Sequence, residues 1–105
     1  MSEADGGAQD GAFALVDGAR GWTCTTAITF ANARAALEQA RTLPLPTSGV
    51  IDCTALHPVD SAAVAVLLAV KRRALEQDKP LSFINITPSL HTLADLYGVE
   101  ELLVG

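Results

Sequence analysis

The stretch "HPVDSAAVAVLLAVKRR", His57 to Arg73, decides how the chain divides into helices and strands. A proline, an acid and a serine precede nine consecutive apolar residues, and three cations follow them. Asp and Ser side chains accept hydrogen bonds from the unpaired N–H groups of a helix's first turn. We therefore predict a helix that begins at Asp60 or Ser61 and runs to about Gln77. The first turns of this helix are apolar on all sides, so other elements must pack against most of its surface there.

Short strands are predicted on both sides of this helix. "VIDC", residues 50–53, is rich in β-branched residues, and "KPLSFINI", residues 79–86, starts after the break at Lys79-Pro80. A strand, helix and strand of this combined length form one crossover unit, so we expect the two strands to be parallel.

The earlier part of the chain adds two strands and a helix. "AFALV" and "GWTCTT" predict an antiparallel pair joined by a turn at Asp17-Gly18. Thr29 is a predicted N-cap of the next helix, whose buried face is expected to carry Phe30, Ala33, Leu37 and Ala40. The predicted fold class is α/β, a small mixed sheet flanked by α-helices.

The C-terminal part predicts a further helix and a short apolar piece, "EELLV". Thr87-Pro88 begins the helix and Gly98 ends it, and its apolar stripe consists of Leu90, Leu93, Leu96 and Tyr97. Residues 1–11 are rich in Gly, Asp and Ala, which predicts a disordered leader. Residues 12–105 are then one domain.

Composition excludes several classes of function. A net charge of −5 argues against nucleic-acid binding, and we interpret Lys71-Arg72-Arg73 as a helix end where cations suit the macrodipole. The longest apolar stretch has nine residues, too few to insert into a membrane. The N-terminus lacks the pattern of a signal peptide, so a cytosolic protein is expected. Cys24 and Cys53 show no metal or redox motif and are expected to be buried, reduced thiols.

Polar residues follow both predicted parallel strands at their carboxyl ends, where ligands and partners usually bind such sheets. They are Asp52-Cys53-Thr54 and Asn85-Ile86-Thr87, and Asp60-Ser61 and Thr87-Pro88-Ser89 open the helices that follow. Ser61 could cap its helix, carry a phosphate or contact a partner. The position of Ser61 in the sequence, taken alone, favours the capping role.

A hydrolase would need a nucleophile, a base and an orienting acid, and Ser61, His57 and either Asp52 or Asp60 supply these residue types. The chain has no G-x-S-x-G motif, and no glycine-rich loop that would cradle a phosphate. We expect no enzymatic activity, no cofactor and no metal.

The segment "VDSAAVAVLL" resembles the centre of the STAS domain, in which an Asp-Ser or Asp-Thr pair starts a buried helix after a short strand. The resemblance covers nearly everything from Phe13 onward. "AITFANARAAL", "VIDCTAL" and "TLADLYGVEELL" are similar to the small STAS subunits of phospholipid-transport ABC complexes. Many members have a second small hydroxyl or glycine and then a glycine after the pair, where this chain has Ala62 and Ala63.

This resemblance implies a STAS-like fold and a non-enzymatic subunit that binds the ATPase of an ABC-type phospholipid transporter. The complex would also contain permease and lipid-binding subunits, and would hold the protein at the inner face of the inner membrane. The expected partner-binding residues are Asp60, Ser61, Val64, Thr87, Leu90 and Tyr97. The alternative is an anti-sigma factor antagonist that is switched by phosphorylation of Ser61.

Overall fold

A computed structural model of the protein describes residues 11–103 and shows four strands and four helices within that range. They are β1 (Phe13–Val16), β2 (Gly21–Cys24), α1 (Ala33–Thr42), β3 (Val50–Asp52), α2 (Ser61–Glu76), β4 (Ser82–Ile84), α3 (Pro88–Leu96) and α4 (Glu100–Leu103). The α/β class predicted from the sequence is confirmed.

The strands form one mixed sheet in the order β1-β2-β3-β4. β1 is antiparallel to β2, whereas β2, β3 and β4 are mutually parallel, as the strand, helix and strand pattern predicted. The register aligns Trp22 with Ile51 and Ile51 with Phe83, and all three side chains are buried. Because side chains alternate along a strand, this face of the sheet carries the core.

Helix α2 lies at the centre of that core. It begins after Asp60, whose Oδ1 accepts a hydrogen bond from the N–H of Ala62 at 2.8 Å, and it ends at Glu76 with Gln77 as C-cap. Seven of its side chains are buried, including those of Leu67 and Val70. The predicted start and end of this helix, and the burial of most of its surface by other elements, are confirmed.

Two of the three cations in the second half of α2 bind backbone carbonyl groups. Lys71 Nζ donates to Leu81 O at 2.6 Å. Arg73 Nη1 donates to two carbonyls at the end of α1, those of Ala40 at 3.0 Å and Leu43 at 2.7 Å. These two side chains therefore join α2 to its neighbours in the fold, a role that the sequence interpretation did not include.

Helix α1 begins later than predicted, and Thr29 is not its N-cap. The N-cap is Asn32, whose Oδ1 accepts from the N–H of Thr29 at 3.0 Å, while Thr29 Oγ1 accepts from the N–H of Ala31 at 3.2 Å. Such short side-chain bonds fold the segment into turns that compete with the helix. Phe30 is consequently 74% exposed, and the prediction that it is buried is wrong.

Helix α3 starts as predicted, with Thr87 Oγ1 accepting from the N–H of Leu90 at 3.4 Å and Pro88 in the first position. Its predicted apolar stripe is correct only in its first half. Leu90 is fully buried, but Leu96 is 71% exposed and Tyr97 is 53% exposed. Leu96 follows Leu90 by six residues, which at 3.6 residues per turn places it on another side of the helix, and Tyr97 lies beyond the helix end at Leu96.

The predicted leader, residues 1–11, lies outside the described residues except for Gly11, which is buried. A Cβ atom at Gly11 would collide with the side chain of Gln39. Gln39 Oε1 accepts from the N–H groups of Ala12 at 2.7 Å and Phe13 at 2.9 Å, and its Nε2 donates to Phe13 O at 3.0 Å. This carboxamide occupies the outer edge of β1, and the prediction that Gly11 is disordered is wrong.

Cys24 and Cys53 are both free and buried, which confirms the prediction of reduced thiols. A hydrogen bond with Cys53, together with burial, raises the pKa of the Cys24 thiol far above its usual value. Across residues 11–103, no helix combines the length and the apolar character needed to cross a membrane.

Candidate partner-binding site

An apolar groove lies on the outer side of α2, against the segment that joins α3 to α4. Its lining consists of Ser61, Val64, Ala65, Leu68, Tyr97 and Val99, and its volume is about 330 Å³. We call it the Ser61 groove. The four α2 residues are spaced i, i+3, i+4 and i+7, which places them on one face of the helix.

Ser61 is the first residue of α2 and is half-buried. Of the two candidates for the cap, Asp60 is the N-cap, so the prediction that the Ser61 hydroxyl caps the helix is wrong. Among residues 11–103, no hydrogen bond to the Ser61 hydroxyl is formed. The hydroxyl at the end of the groove can therefore donate to, or accept from, a bound partner.

Asp60 links the start of α2 to the loop that precedes α1. While its Oδ1 caps the helix, its Oδ2 accepts a hydrogen bond from the N–H of Phe30 at 3.1 Å. A parallel β-bridge between Ile28 and Val59 holds the same two segments together. The backbone of Phe30, whose side chain is exposed, is thereby held next to the N-terminus of α2.

The predicted partner-binding residues separate into two groups. Ser61, Val64 and Tyr97 line the groove, with Asp60 directly beside it. Val64 is only 5% exposed and forms the groove's floor. Thr87 lies outside the lining and uses its hydroxyl to cap α3. Leu90 is fully buried in the core, so its assignment as a partner contact is incorrect.

The polar residues at the ends of β3 and β4 do converge, but they bind one another. Asp52 Oδ1 accepts from Thr54 N at 2.9 Å, from Thr54 Oγ1 at 2.5 Å and from Asn85 Nδ2 at 3.2 Å. The hydrogen bonds from Thr54 and Asn85 hold the pKa of the Asp52 carboxyl below its usual value. This cluster fixes the carboxyl ends of two strands relative to each other.

The hydrogen bonds of a hydrolase triad are not present in residues 11–103. His57 is exposed and forms no hydrogen bond with Ser61 there. Both carboxylate oxygens of Asp60 accept backbone N–H groups, and Asp52 is bound by Thr54 and Asn85. Within the same range, no three His, Cys, Asp or Glu side chains cluster so that they could hold a metal ion.

Sequence reasoning missed three groove residues, Ala65, Leu68 and Val99, and the neighbouring Phe30. Helical spacing from Ser61 could have identified Ala65 and Leu68, because both lie on the same face of α2. No local signal identifies Phe30, whose position depends on a hydrogen bond to a residue thirty positions away.

Fold and site together define a class: a small α/β domain with a mixed four-stranded sheet, whose central helix presents an apolar groove at its N-terminus. The family model described as "Mlab, STAS domain" matches residues 23–105, and the chain belongs to this STAS-domain family. The resemblance predicted from the sequence is thereby confirmed. A comparison with curated protein sequences gives no match.

Proposed function

We propose that the protein is a non-enzymatic STAS subunit that docks, through the Ser61 groove, on the ATPase of an ABC-type phospholipid transporter. In this role it supports assembly or activity of the ATPase in a complex with permease and lipid-binding subunits. The complex maintains the lipid asymmetry of the outer membrane. The protein is then cytoplasmic and reaches the inner face of the inner membrane through its partner.

One observation carries this proposal: an apolar groove with an unengaged hydroxyl at one end and the exposed ring of Tyr97 in its lining. Tyr97 is 53% exposed, and Phe30, whose backbone N–H binds Asp60 at the start of α2, is 74% exposed. Exposed aromatic side chains around a small apolar depression are typical of the residues that dominate protein–protein binding energy. Membership of the family described as "Mlab, STAS domain" supports a STAS-domain protein, and the transporter role is our proposal beyond it.

Ser61 would be enclosed when a partner covers the groove. A serine hydroxyl is small enough to be buried and can be satisfied by one hydrogen bond from the partner. A phosphate on Ser61 would introduce up to two negative charges next to Asp60 and into an apolar interface. Docking therefore requires unmodified Ser61.

The half-buried Ser61 hydroxyl also favours a second function. In that function the protein is an anti-sigma factor antagonist that is switched by phosphorylation of Ser61. The half-exposed position of Ser61 at a helix N-terminus suits modification by a kinase. This alternative predicts a different set of partners in the cell, and the two functions can be separated by one experiment.

That experiment is affinity capture of the tagged full-length protein from its native cells, followed by mass spectrometry of the partners and of the peptide containing Ser61. We expect an ABC ATPase and its permease, with Ser61 unmodified. Recovery of a serine kinase or an anti-sigma factor with phosphorylated Ser61 would overturn the transporter function in favour of the switch. Capture with Ser61→Glu, which should lose the ATPase, is the internal control.

A further inference from the structure

The three cations of α2 differ in what they contact. Lys71 and Arg73 donate to backbone carbonyls of neighbouring elements, as described above. Arg72 is exposed and, within residues 11–103, forms neither a hydrogen bond nor an ion pair with another residue. Its guanidinium group, with five N–H donors, is not needed by the described part of the fold.

Arg72 lies on the same face of α2 as the Ser61 groove. It follows Ala65 by seven residues and Leu68 by four, and residues at these spacings share one side of a helix. Seven residues at 1.5 Å each place Arg72 about 10 Å along the axis from Ala65. A partner that covers the groove along α2 therefore reaches Arg72.

A second cleft lies further along α2, on the side that faces α1. Its lining consists of Arg41, Ala69, Arg72, Arg73 and Glu76, and its volume is about 230 Å³. We call it the arginine cleft. Arg72 relates the two depressions, because it lines the cleft and lies on the same face of α2 as Ala65 and Leu68 of the groove. The lining contains three arginines and one glutamate, so the cleft has a net positive charge, although Arg73 also donates to two carbonyls at the end of α1.

We propose that the arginine cleft is the second half of the docking surface and binds an acidic side chain of the partner. The partner element then carries an apolar residue for the Ser61 groove and an Asp or Glu about 10 Å away. This separation corresponds to positions i and i+7 of an α-helix. Arginine pairs well with carboxylates, because its planar donors match the two oxygens.

The charge distribution favours a protein carboxylate over an anionic membrane surface. The chain carries a net charge of −5, which opposes binding to an anionic bilayer. Glu76 in the cleft further reduces the attraction for a surface of many phosphates. A single carboxylate between Arg41 and Arg72, next to an apolar contact that excludes water, fits the local charge without requiring a positive surface elsewhere.

The inference rests on the proposed function, and its test uses the ATPase that co-purifies with the full-length protein. Dissociation constants are measured for the wild type, Arg72→Gln and Arg72→Glu. We expect Arg72→Gln to weaken binding about 3- to 10-fold and Arg72→Glu to weaken it by more than about 10-fold. Lys79→Glu, an exposed cation outside the groove and the cleft, should bind within about twofold of the wild type.

The possible outcomes distinguish a failure of the arginine cleft from a failure of the proposed function. Loss of binding with Ser61→Glu but wild-type binding with Arg72→Glu overturns the arginine cleft and leaves the proposed function standing. Failure to capture any ATPase overturns both. Vesicles of phosphatidylglycerol and phosphatidylcholine provide the third arm: wild-type binding to them that is lost in Arg72→Glu, with ATPase affinity unchanged, would show that the cleft serves a membrane instead.

Discussion

The carboxylate of Asp60 binds the N–H of Phe30 at 3.1 Å while it caps helix α2 through the N–H of Ala62 at 2.8 Å. One side chain therefore starts the central helix, beside the Ser61 groove, and also fixes the loop that carries the exposed Phe30. Stability and the shape of the candidate docking surface depend on the same two oxygens.

We expect different substitutions of Asp60 to separate these roles. Asp60→Ala removes the cap and should lower the free energy of unfolding by about 1 kcal/mol or more. Asp60→Asn keeps one amide oxygen for the cap but loses the second acceptor. The free energy of unfolding measured in urea should therefore be highest for the wild type, lower for Asp60→Asn and lowest for Asp60→Ala. Hydrogen exchange at the Phe30 amide should be faster in both variants, and an unchanged rate would contradict the link to Asp60.

Substitutions of Ser61 should affect binding much more than folding. Because the Ser61 hydroxyl makes no hydrogen bond within residues 11–103, Ser61→Ala should change the free energy of unfolding by less than about 0.5 kcal/mol. Its loss of partner affinity should be about 2- to 10-fold, the effect of one hydrogen bond. Ser61→Glu places a charge at the groove and should weaken binding by about 30-fold or more.

Titration calorimetry with the captured ATPase measures these affinities, and thermal unfolding checks that each Ser61 variant is folded. Equal binding by the wild type and Ser61→Glu would remove the Ser61 groove as the interface. Thr87→Ala is a useful contrast, since Thr87 caps α3 outside the groove lining. That variant should lose about 1 kcal/mol of stability with little change in affinity.

Gln39 should be more important for stability than its position on the surface of α1 suggests. Its carboxamide satisfies the N–H and the carbonyl of Phe13 at the outer edge of β1, in the way a neighbouring strand would. Gln39→Ala leaves these groups unpaired and should cost about 1 to 3 kcal/mol in urea unfolding. Glu38→Ala, an exposed neighbour, is the matched control and should be nearly neutral.

Two further variants test the geometry of this edge. Gly11→Ala should destabilise the protein, because the added Cβ collides with the Gln39 side chain. Combined with Gln39→Ala, the glycine substitution should cost less than it does alone. Full additivity of the two effects would show that the Gly11–Gln39 contact is not the cause.

The contribution of Asp52 to stability should depend on pH. Because its hydrogen bonds lower the pKa in the folded state, the ionised carboxyl stabilises the fold above the unfolded-state pKa of about 4. This stabilisation is lost as the pH falls through the folded-state pKa. Asp52→Asn should therefore reduce the free energy of unfolding at pH 7 and have a smaller effect near pH 3. A difference that is constant with pH would contradict this assignment.

The buried thiols should resist alkylation in the folded protein. The hydrogen bond between Cys24 and Cys53 and the burial of both groups raise the pKa of Cys24, and only the thiolate reacts rapidly. Iodoacetamide at pH 8 should label neither cysteine before unfolding, and both in urea. Rapid labelling of Cys24 under native conditions would show that this part of the core opens readily.

Several features of the fold could be predicted because they depend on neighbouring residues. The start of α2 at Asp60 and of α3 at Thr87 follows from capping chemistry that acts within a single turn. The parallel pairing of β3 and β4 follows from the length of the segment between them. The family resemblance of "VDSAAVAVLL" rested on the same local pattern.

The candidate site was less predictable. Ser61 and Tyr97 were identified, but the role of Ser61 was misassigned because either Asp60 or Ser61 could cap a helix. Leu90 was placed in the interface as a residue of the third helix, and helical spacing shows which residues share a face, but not whether that face meets the core or the solvent. Its complete burial results from packing among α2, α3 and α4.

The sequence by itself determined the order of the elements, the class of the fold and the two helix starts, because each depends on residues within a few positions of one another. Only the tertiary structure decided that Phe30 is exposed in the loop bound to Asp60, that Gln39 covers the edge of β1, and that Ser61 lies at the end of an apolar groove formed with Tyr97 and Val99. Each of these features joins residues brought together by packing between elements, and contacts over such separations leave no periodic signal in the chain.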